Sequence, residues 1–410
     1  MKKRFLALAM TIALLLTLIP AAFAESTDTI TLSVFDAHAY GLDEYAQMVA
    51  NFEAANPGIK IEVQHAANDS TTLLNARINS GDVPDVFDVQ VGSMAQNYYE
   101  YAYDWSNDAD VLSLFHDDAI KTGMNADGKV MSLPWTYENM TLIYNKDLFA
   151  KAGITELPKT MTELEAACEK LKAAGITPFA IAAKESWVLN HVSTHFMMMK
   201  DQNAAGTVQA LKDGTYTFKT LPNFQNFFKF LDLAVKYGPS KPMEIDWETC
   251  ENMLVNGEAA MIHMGDWCQA TLDKFNPDAK VGFLPFPVSE NAADVNLLSN
   301  ISWTYIVNKD SKNLDAAKKY LLYILTSEDG IKWATQTVGA ASAAKNELTV
   351  KGALANEAAG YIAKGETNAW IHTLMPTGWG DNVGPLYQAY MLGQMTADDV
   401  MSQMQDFFVY

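Results

Sequence analysis

Short apolar runs alternate with amphipathic helical stretches along nearly the whole chain, and no hairpin-rich stretch interrupts them. Ile30–Phe35 reads as a strand, and Leu42–Asn56 as a helix stopped by Asn56-Pro57-Gly58. A strand Ile59–Gln64, a helix Thr71–Ser80 and a strand Asp85–Val89 follow. Further strands are expected at Met140–Tyr144, Phe179–Ala182, Ala259–Met264, Val281–Phe283 and Ser302–Val307. Parallel strands need crossover helices, so this rhythm predicts an α/β fold with largely parallel sheets flanked by helices. No internal repeat, low-complexity segment or Pro/Ser-rich linker appears, so two lobes would have to be joined by short ordered crossings.

Residues 1–24 are read apart from the fold. Lys2, Lys3 and Arg4 precede an apolar stretch from Phe5 to Ile19, then Pro20 and Ala22-Phe23-Ala24. That order is a secretory signal peptide with a cut before Glu25. No cysteine lies near the cut, so no lipid attachment site is expected, and the chain is placed in a periplasm or at the cell surface. Loss of the three leader cations takes the net charge from −20 to −23, a surface that repels nucleic acid and anionic membranes. Cys168, Cys250 and Cys268 are too few and too scattered for a disulfide framework. Cys168 falls on a helical stripe with Met161, Leu164 and Leu171, and a Cys250–Cys268 bridge stays open.

In open α/β sheets, ligands bind beyond the carboxyl ends of the strands. The residues found there are unusual. Asp36, His38 and Tyr40 follow the first strand, and Gln90 and Ser93 the third. Trp135, Tyr137 and Glu138 cluster near 135, and Glu185, Ser186 and Trp187 follow the strand near 180. Asp266 and Trp267 follow Gly265, Ser302 and Trp303 open a late strand, and Trp379, Asp381 and Asn382 lie in "MPTGWGDN". Five of nine tryptophans therefore sit at strand ends or loops, where a lone indole would expose apolar surface to water. Flat indoles beside carboxylates and amides suit a ligand with C–H faces and a rim of hydroxyls, that is, a sugar. Gly265 is expected to let the backbone turn tightly, with Trp267 as a stacking platform. Asp266 is either a hydroxyl acceptor or the cap of a helix starting near Trp267.

Other chemistry lacks support. His191 and His195 share a helix face in "HVSTH", but Val192 stands where a zinc protease needs Glu, and no third ligand is evident. The stretch 104–115 has spaced acids without the glycine and closing glutamate of a calcium loop. Tyr98 and Tyr99 resemble a ferric-ion pair but read as core packing. No metal and no cofactor are expected. A secreted glycosidase using Glu138 and Glu185 is the enzymatic alternative, since it too needs indole platforms and two carboxylates. Binders of a polyamine, ferric ion or peptide are further alternatives.

Residues 128–181, beginning "GKVMSLPWTYENMTLIYNKDLFAKAGI", and "NGEAAMIHMGDW" (256–267) resemble the carbohydrate-type extracellular solute-binding proteins of ABC importers, the maltose-binding-protein-like family. So do "SGDVPDVF" (80–87) and "SKNLDAAKKYLLYILTSEDG" (311–330). The resemblance implies two lobes, 25–136 plus 286–328 and 139–283 plus 331–410, closing on a ligand like a hinged trap. It implies ligand contacts at Glu138, at the pair Glu185 and Trp187, at Trp267 and close to Trp379, with His38, Tyr40 and Gln90 in variable loops. With Trp135, Asp266, Trp303 and Asp381 from the strand-end reading, these are the candidate ligand-binding residues. The expected function is non-enzymatic: a monomer binding a mono- or oligosaccharide and delivering it to membrane permease subunits.

Overall fold

The structure, a computed structural model, describes residues 29–38, 41–66, 69–198, 204–346 and 348–409. The leader and Tyr40 lie outside the described residues. Two sheets organise the chain. The first has the order β2 (Ile59–His65), β1 (Ile30–Asp36), β3 (Val86–Gln90), β10 (Trp303–Val307), β4 (Leu133–Pro134). The second is built around β5 (Thr136–Asn145), with β7 (Ala259–Gly265), β8 (Val281–Leu284), β9 (Leu298–Ile301) and β11 (Ala341–Ser342) on it and β6 (Thr177–Ala180) beyond β7. Among the described residues, no helix is long and apolar enough to cross a membrane.

Alternation along β1 sends Leu32 and Val34 into one apolar layer and Phe35 into another, so helices cover both faces of the first sheet. The helix Leu42–Ala55 buries Tyr45, Met48 and Phe52, a stripe at helical spacing. In the second lobe, the helix Phe224–Tyr237 buries Phe224, Phe227, Phe228, Phe230 and Leu231 against the sheet. Each lobe thus has its own core, which is what α/β alternation requires.

The pairing departs from the expected parallel sheets. β1 runs parallel to β2 and β3, and β6 to β7, but β5 is antiparallel to β7, β8, β9 and β11, and β10 to β3 and β4. The reason is topological: β5 carries the chain out of the first sheet and every strand set beside it later returns towards that sheet.

The chain changes sheet at Trp135, between β4 and β5, and at Ser302, between β9 and β10. The third crossing runs from the helix Glu328–Lys332 through residues 333–344, which still pack in the first core, to Leu354 in the second. The expected changeovers were 136–139, 283–286 and 328–331. The run after 286 stays with the second lobe because Phe286, Leu297 and Leu298 pack in its core. The three crossings are bonded side by side: Trp135 N–H donates to the Trp303 carbonyl at 3.2 Å, and Ala343 N–H to the Trp135 carbonyl at 2.8 Å. The third includes a π-helical segment, Trp333–Val338. Such turns are frequent at functional sites.

Candidate functional site: two aromatic walls at the crossings

The first wall belongs to the first lobe and the crossings. Trp135 is buried and stacks on Trp333, ring centroids 4.8 Å apart at 23°. His38 packs on Trp135 at 4.2 Å and meets Trp303 edge-on at 4.7 Å. The loop holding His38 is pinned by Asp36 at the end of β1 and Asp88 in the middle of β3. Asp88 accepts from Ala37 N–H at 2.8 Å, and Asp36 from His38 N–H at 2.7 Å and from the Tyr305 hydroxyl at 3.1 Å. Burial opposes charge on the imidazole, but Asp88 and Asp36 more than offset it, and the pKa of His38 is pushed up to about 10. Burial and the neighbouring Asp36 raise that of Asp88 to about 6.

The second wall belongs to the second lobe. Trp187, half-buried, lies in the first turn of the helix Ser186–Met197, one turn before His191. His191 touches Trp187, Trp267, Trp370 and His372, at centroid distances of 5.2, 6.1, 5.7 and 5.1 Å. Trp267 meets Trp370 at 5.8 Å.

Acids link the walls. Glu138, on β5 beside the first crossing, is buried, and its pKa is raised to about 7 by burial against the pull of His38. Asp266 senses Glu138 in turn, and burial first of all raises it to about 7. The walls also meet at a seam. Ser93 donates to the Met375 carbonyl at 2.6 Å, and Asn97 Nδ2 to Thr377 Oγ1 at 3.0 Å. Beside them, Gly92 lies directly against the carbonyl of Thr373.

Several candidates need correction. Trp379 is not in either wall: it stacks on Phe218 at 5.2 Å and packs against Phe407 and Phe408. Asp381 is exposed on the same helix, Trp379–Met391. Trp370, not Trp379, stands beside Trp267 and His191 in the second wall. Asp266 neither caps a helix nor stands free, because it accepts from Asn139 N–H at 3.0 Å and Asn139 Nδ2 at 2.6 Å. Glu185 accepts from Trp247 N–H at 3.0 Å, so one of its oxygens anchors a neighbouring helix. Gly265 has φ −112°, an ordinary extended value. What it supplies is space, since a Cβ there would fall 1.9 Å from the folded-back Trp267 ring. Gln90 pairs with Trp303 at the end of β3. Cys250 and Cys268 are buried separate thiols, so the bridge left open above does not form.

His191, Trp370, His372, Trp333, Asp36 and Asp88 were not among the candidates. Asp36 alone had been noticed at its strand end. The pair His191 and His195, for which zinc was set aside, is buried, and only the fold shows that His191 backs an indole wall.

Asp266→Ala is expected to cost about 2 kcal/mol of stability, because Asn139 keeps two buried donors without an acceptor. Urea unfolding checks this, with Asp381→Ala as an exposed control. An unchanged midpoint would show that the carboxylate does not clamp the crossing.

The second lobe also carries an acid sensitivity. His195 Nε2 lies 3.0 Å from His263 Nε2, and its Nδ1 bonds Asn296. Burial lowers His191 to about 4 and His195 to about 3, and also depresses His263 and His372. All four therefore fold neutral. Their stability contribution is complete above the unfolded value near 6.5 and declines as pH falls, since only the unfolded chain then gains protons. His191 and His195 should each cost about 2 kcal/mol at pH 5. Denaturation midpoints at pH 7.5 and 5.0 check this, and His195→Gln should flatten the dependence. A wild-type midpoint equal at the two pH values would contradict it.

These elements define a two-lobed α/β binding fold with its walls at the crossings. The family model for bacterial extracellular solute-binding proteins matches residues 38–331, and the chain belongs to that family, whose members bind solutes and are not enzymes. The multiple sugar-binding protein of Streptococcus mutans is 24% identical over 316 residues, covering 75% of this chain and 73% of the relative. The melibiose/raffinose/stachyose-binding protein of Bacillus subtilis is 24% identical over 341 residues, 76% of this chain and 75% of its own length. Among solved structures, a sugar transporter from Bacillus licheniformis in complex with stachyose superposes with a TM-score of 0.78 at 20% identity. It covers 93% of this chain and 99% of that one. Glycosidase chemistry at Glu138 and Glu185 is thereby set aside.

Proposed function

We propose that this chain captures a neutral mono- or oligosaccharide between its two lobes and delivers it to the permease of an ATP-driven importer. One observation carries the reading. The two indole walls hold buried polar atoms that find no hydrogen-bond partner among the described residues: His38 Nε2, Trp135 Nε1, His191 Nδ1, Trp370 Nε1 and both ring nitrogens of His372. Buried donors and acceptors are expected to be satisfied. A polyhydroxylated ring lying on the indoles would satisfy them, while Glu138 accepts from a hydroxyl. The names of the Streptococcus and Bacillus relatives point the same way. On this reading Trp135, Trp303 and His38 face the ligand from one lobe, and Trp187, Trp267 and Trp370 from the other.

Ligand bridging both walls would draw the lobes together about the three bonded crossings, a shift between open and closed populations. Titration calorimetry of the chain from residue 25 against neutral mono-, di- and trisaccharides tests this. Micromolar binding, roughly −8 kcal/mol, is expected for at least one. Binding of spermidine, ferric ion or peptide with no saccharide bound would overturn it.

A further inference from the structure

Asp36, the last residue of β1, and Asp88, in the middle of the neighbouring parallel strand β3, are fully buried, with His38 buried beside both. One atom of each lies within 4.8 Å of the others. His38 Nδ1 stands 2.8 Å from Asp88 Oδ2 and 3.3 Å from Asp36 Oδ1. Two buried carboxylates aimed at one nitrogen require a positive charge among them. Either a proton on the imidazole supplies it or a metal ion does.

The geometry separates these alternatives. At 2.8 Å an ion pair should be a well-aligned hydrogen bond. Yet among the described residues His38 Nδ1 and Asp88 Oδ2 make no well-aligned hydrogen bond, although the short contact couples the two groups electrostatically. An ion about 2.1 Å from a nitrogen and from carboxylate oxygens places neighbouring ligand atoms roughly 2.8–3.4 Å apart. The two nitrogen–oxygen separations lie in that range, and the carboxylate oxygens lie within 4.8 Å of each other.

The outer support of a metal site is also present. Asp36 accepts from the Tyr305 hydroxyl and from the His38 N–H, and Asp88 Oδ1 from the Ala37 N–H. These bonds fix both carboxylates from behind, as ligating side chains are usually fixed. The indoles of Trp135 and Trp303 hold the imidazole plane. We propose that Asp36, His38 and Asp88 form a site for one divalent transition ion of the zinc or manganese class, set into the first-lobe wall of the cleft. One imidazole and two carboxylates suit such ions, and three protein donors leave a position open on the ion. The sequence had given no reason to expect it, because the donors come from two strands far apart in the chain. The site does not depend on the saccharide reading, and its test uses metal alone.

The chain from residue 25, stripped with a chelator and dialysed, is titrated with Co²⁺. Visible d–d absorption saturating at one ion per chain, and displaced by Zn²⁺, is expected. His38→Ala and Asp88→Asn should each abolish the band, and Asp381→Asn should leave it intact, with circular dichroism reporting whether each variant folds. Nitrogen-15 spectra of the wild-type imidazoles give a readout independent of the variants: added Zn²⁺ should displace any Nδ1 proton of His38 and shift its resonance. No stoichiometric band, a band surviving both variants, or a His38 Nδ1–H undisturbed by Zn²⁺ would overturn the proposal. The last result would make the cluster a protonated ion-pair hub.

Discussion

Gly92→Ala is expected to weaken saccharide binding by about 100-fold or more, by keeping the lobes apart. Gly92 has φ +79°, and a Cβ there would lie 1.8 Å from the carbonyl oxygen of Thr373 across the seam. The neighbour is backbone at the edge of the second wall, so it does not yield by a rotamer change. Relief comes from separating the lobes, which breaks the Ser93 and Asn97 bonds to Met375 and Thr377. Apparent affinity falls in proportion to the closed fraction, and roughly 3 kcal/mol of bias against closure is about 100-fold. Gly81→Ala is the control. Gly81 has φ +84° with nothing within 4 Å of a built Cβ, so it shares the backbone strain without the clash. It should lose stability and keep affinity. Equal affinities for both variants and wild type would show that the seam does not gate binding.

Trp267→Ala should weaken binding by a similar factor through a different cause. This indole is buried, folds back over Gly265 and meets His191 and Trp370, so it forms the floor of the second wall. A central aromatic anchor in a desolvated site is commonly worth 2 kcal/mol or more on truncation, about 30-fold or above. Trp267→Phe keeps a flat face and should stay within about tenfold of wild type. Trp187→Ala, at the half-exposed edge, should cost about tenfold with little change in stability. Calorimetric affinities beside urea midpoints separate lost contact from lost folding. If alanine and phenylalanine at 267 weaken binding equally, packing and not stacking is responsible.

The strands of the two cores were legible because burial on a sheet writes itself as apolar runs: Ile59–His65 and Ala259–Gly265 match their expected spans within a residue. β4, β9 and β11 were missed because two, four and two residues carry no period. The antiparallel pairings of β5 were equally invisible, since strand direction is decided by where the chain returns. At the site, the indoles flanking strand ends were readable at Trp135, Trp267 and Trp303. Trp370 and Trp379 look alike in sequence, each on a loop among polar residues. Packing separates them: Trp379 starts a helix that sits on Phe218 and Phe408, while Trp370 faces Trp267. Asp266 read as a free acceptor or a helix cap because its partner, Asn139, is distant in the chain and adjacent only across β5 and β7.

Co-crystallisation with the tightest-binding saccharide tests the account most directly. Density for the sugar is expected between Trp135 and Trp303 on one side and Trp267 and Trp370 on the other, with Glu138 accepting from a hydroxyl. A saccharide seated away from both walls, or held by one lobe alone, would contradict it.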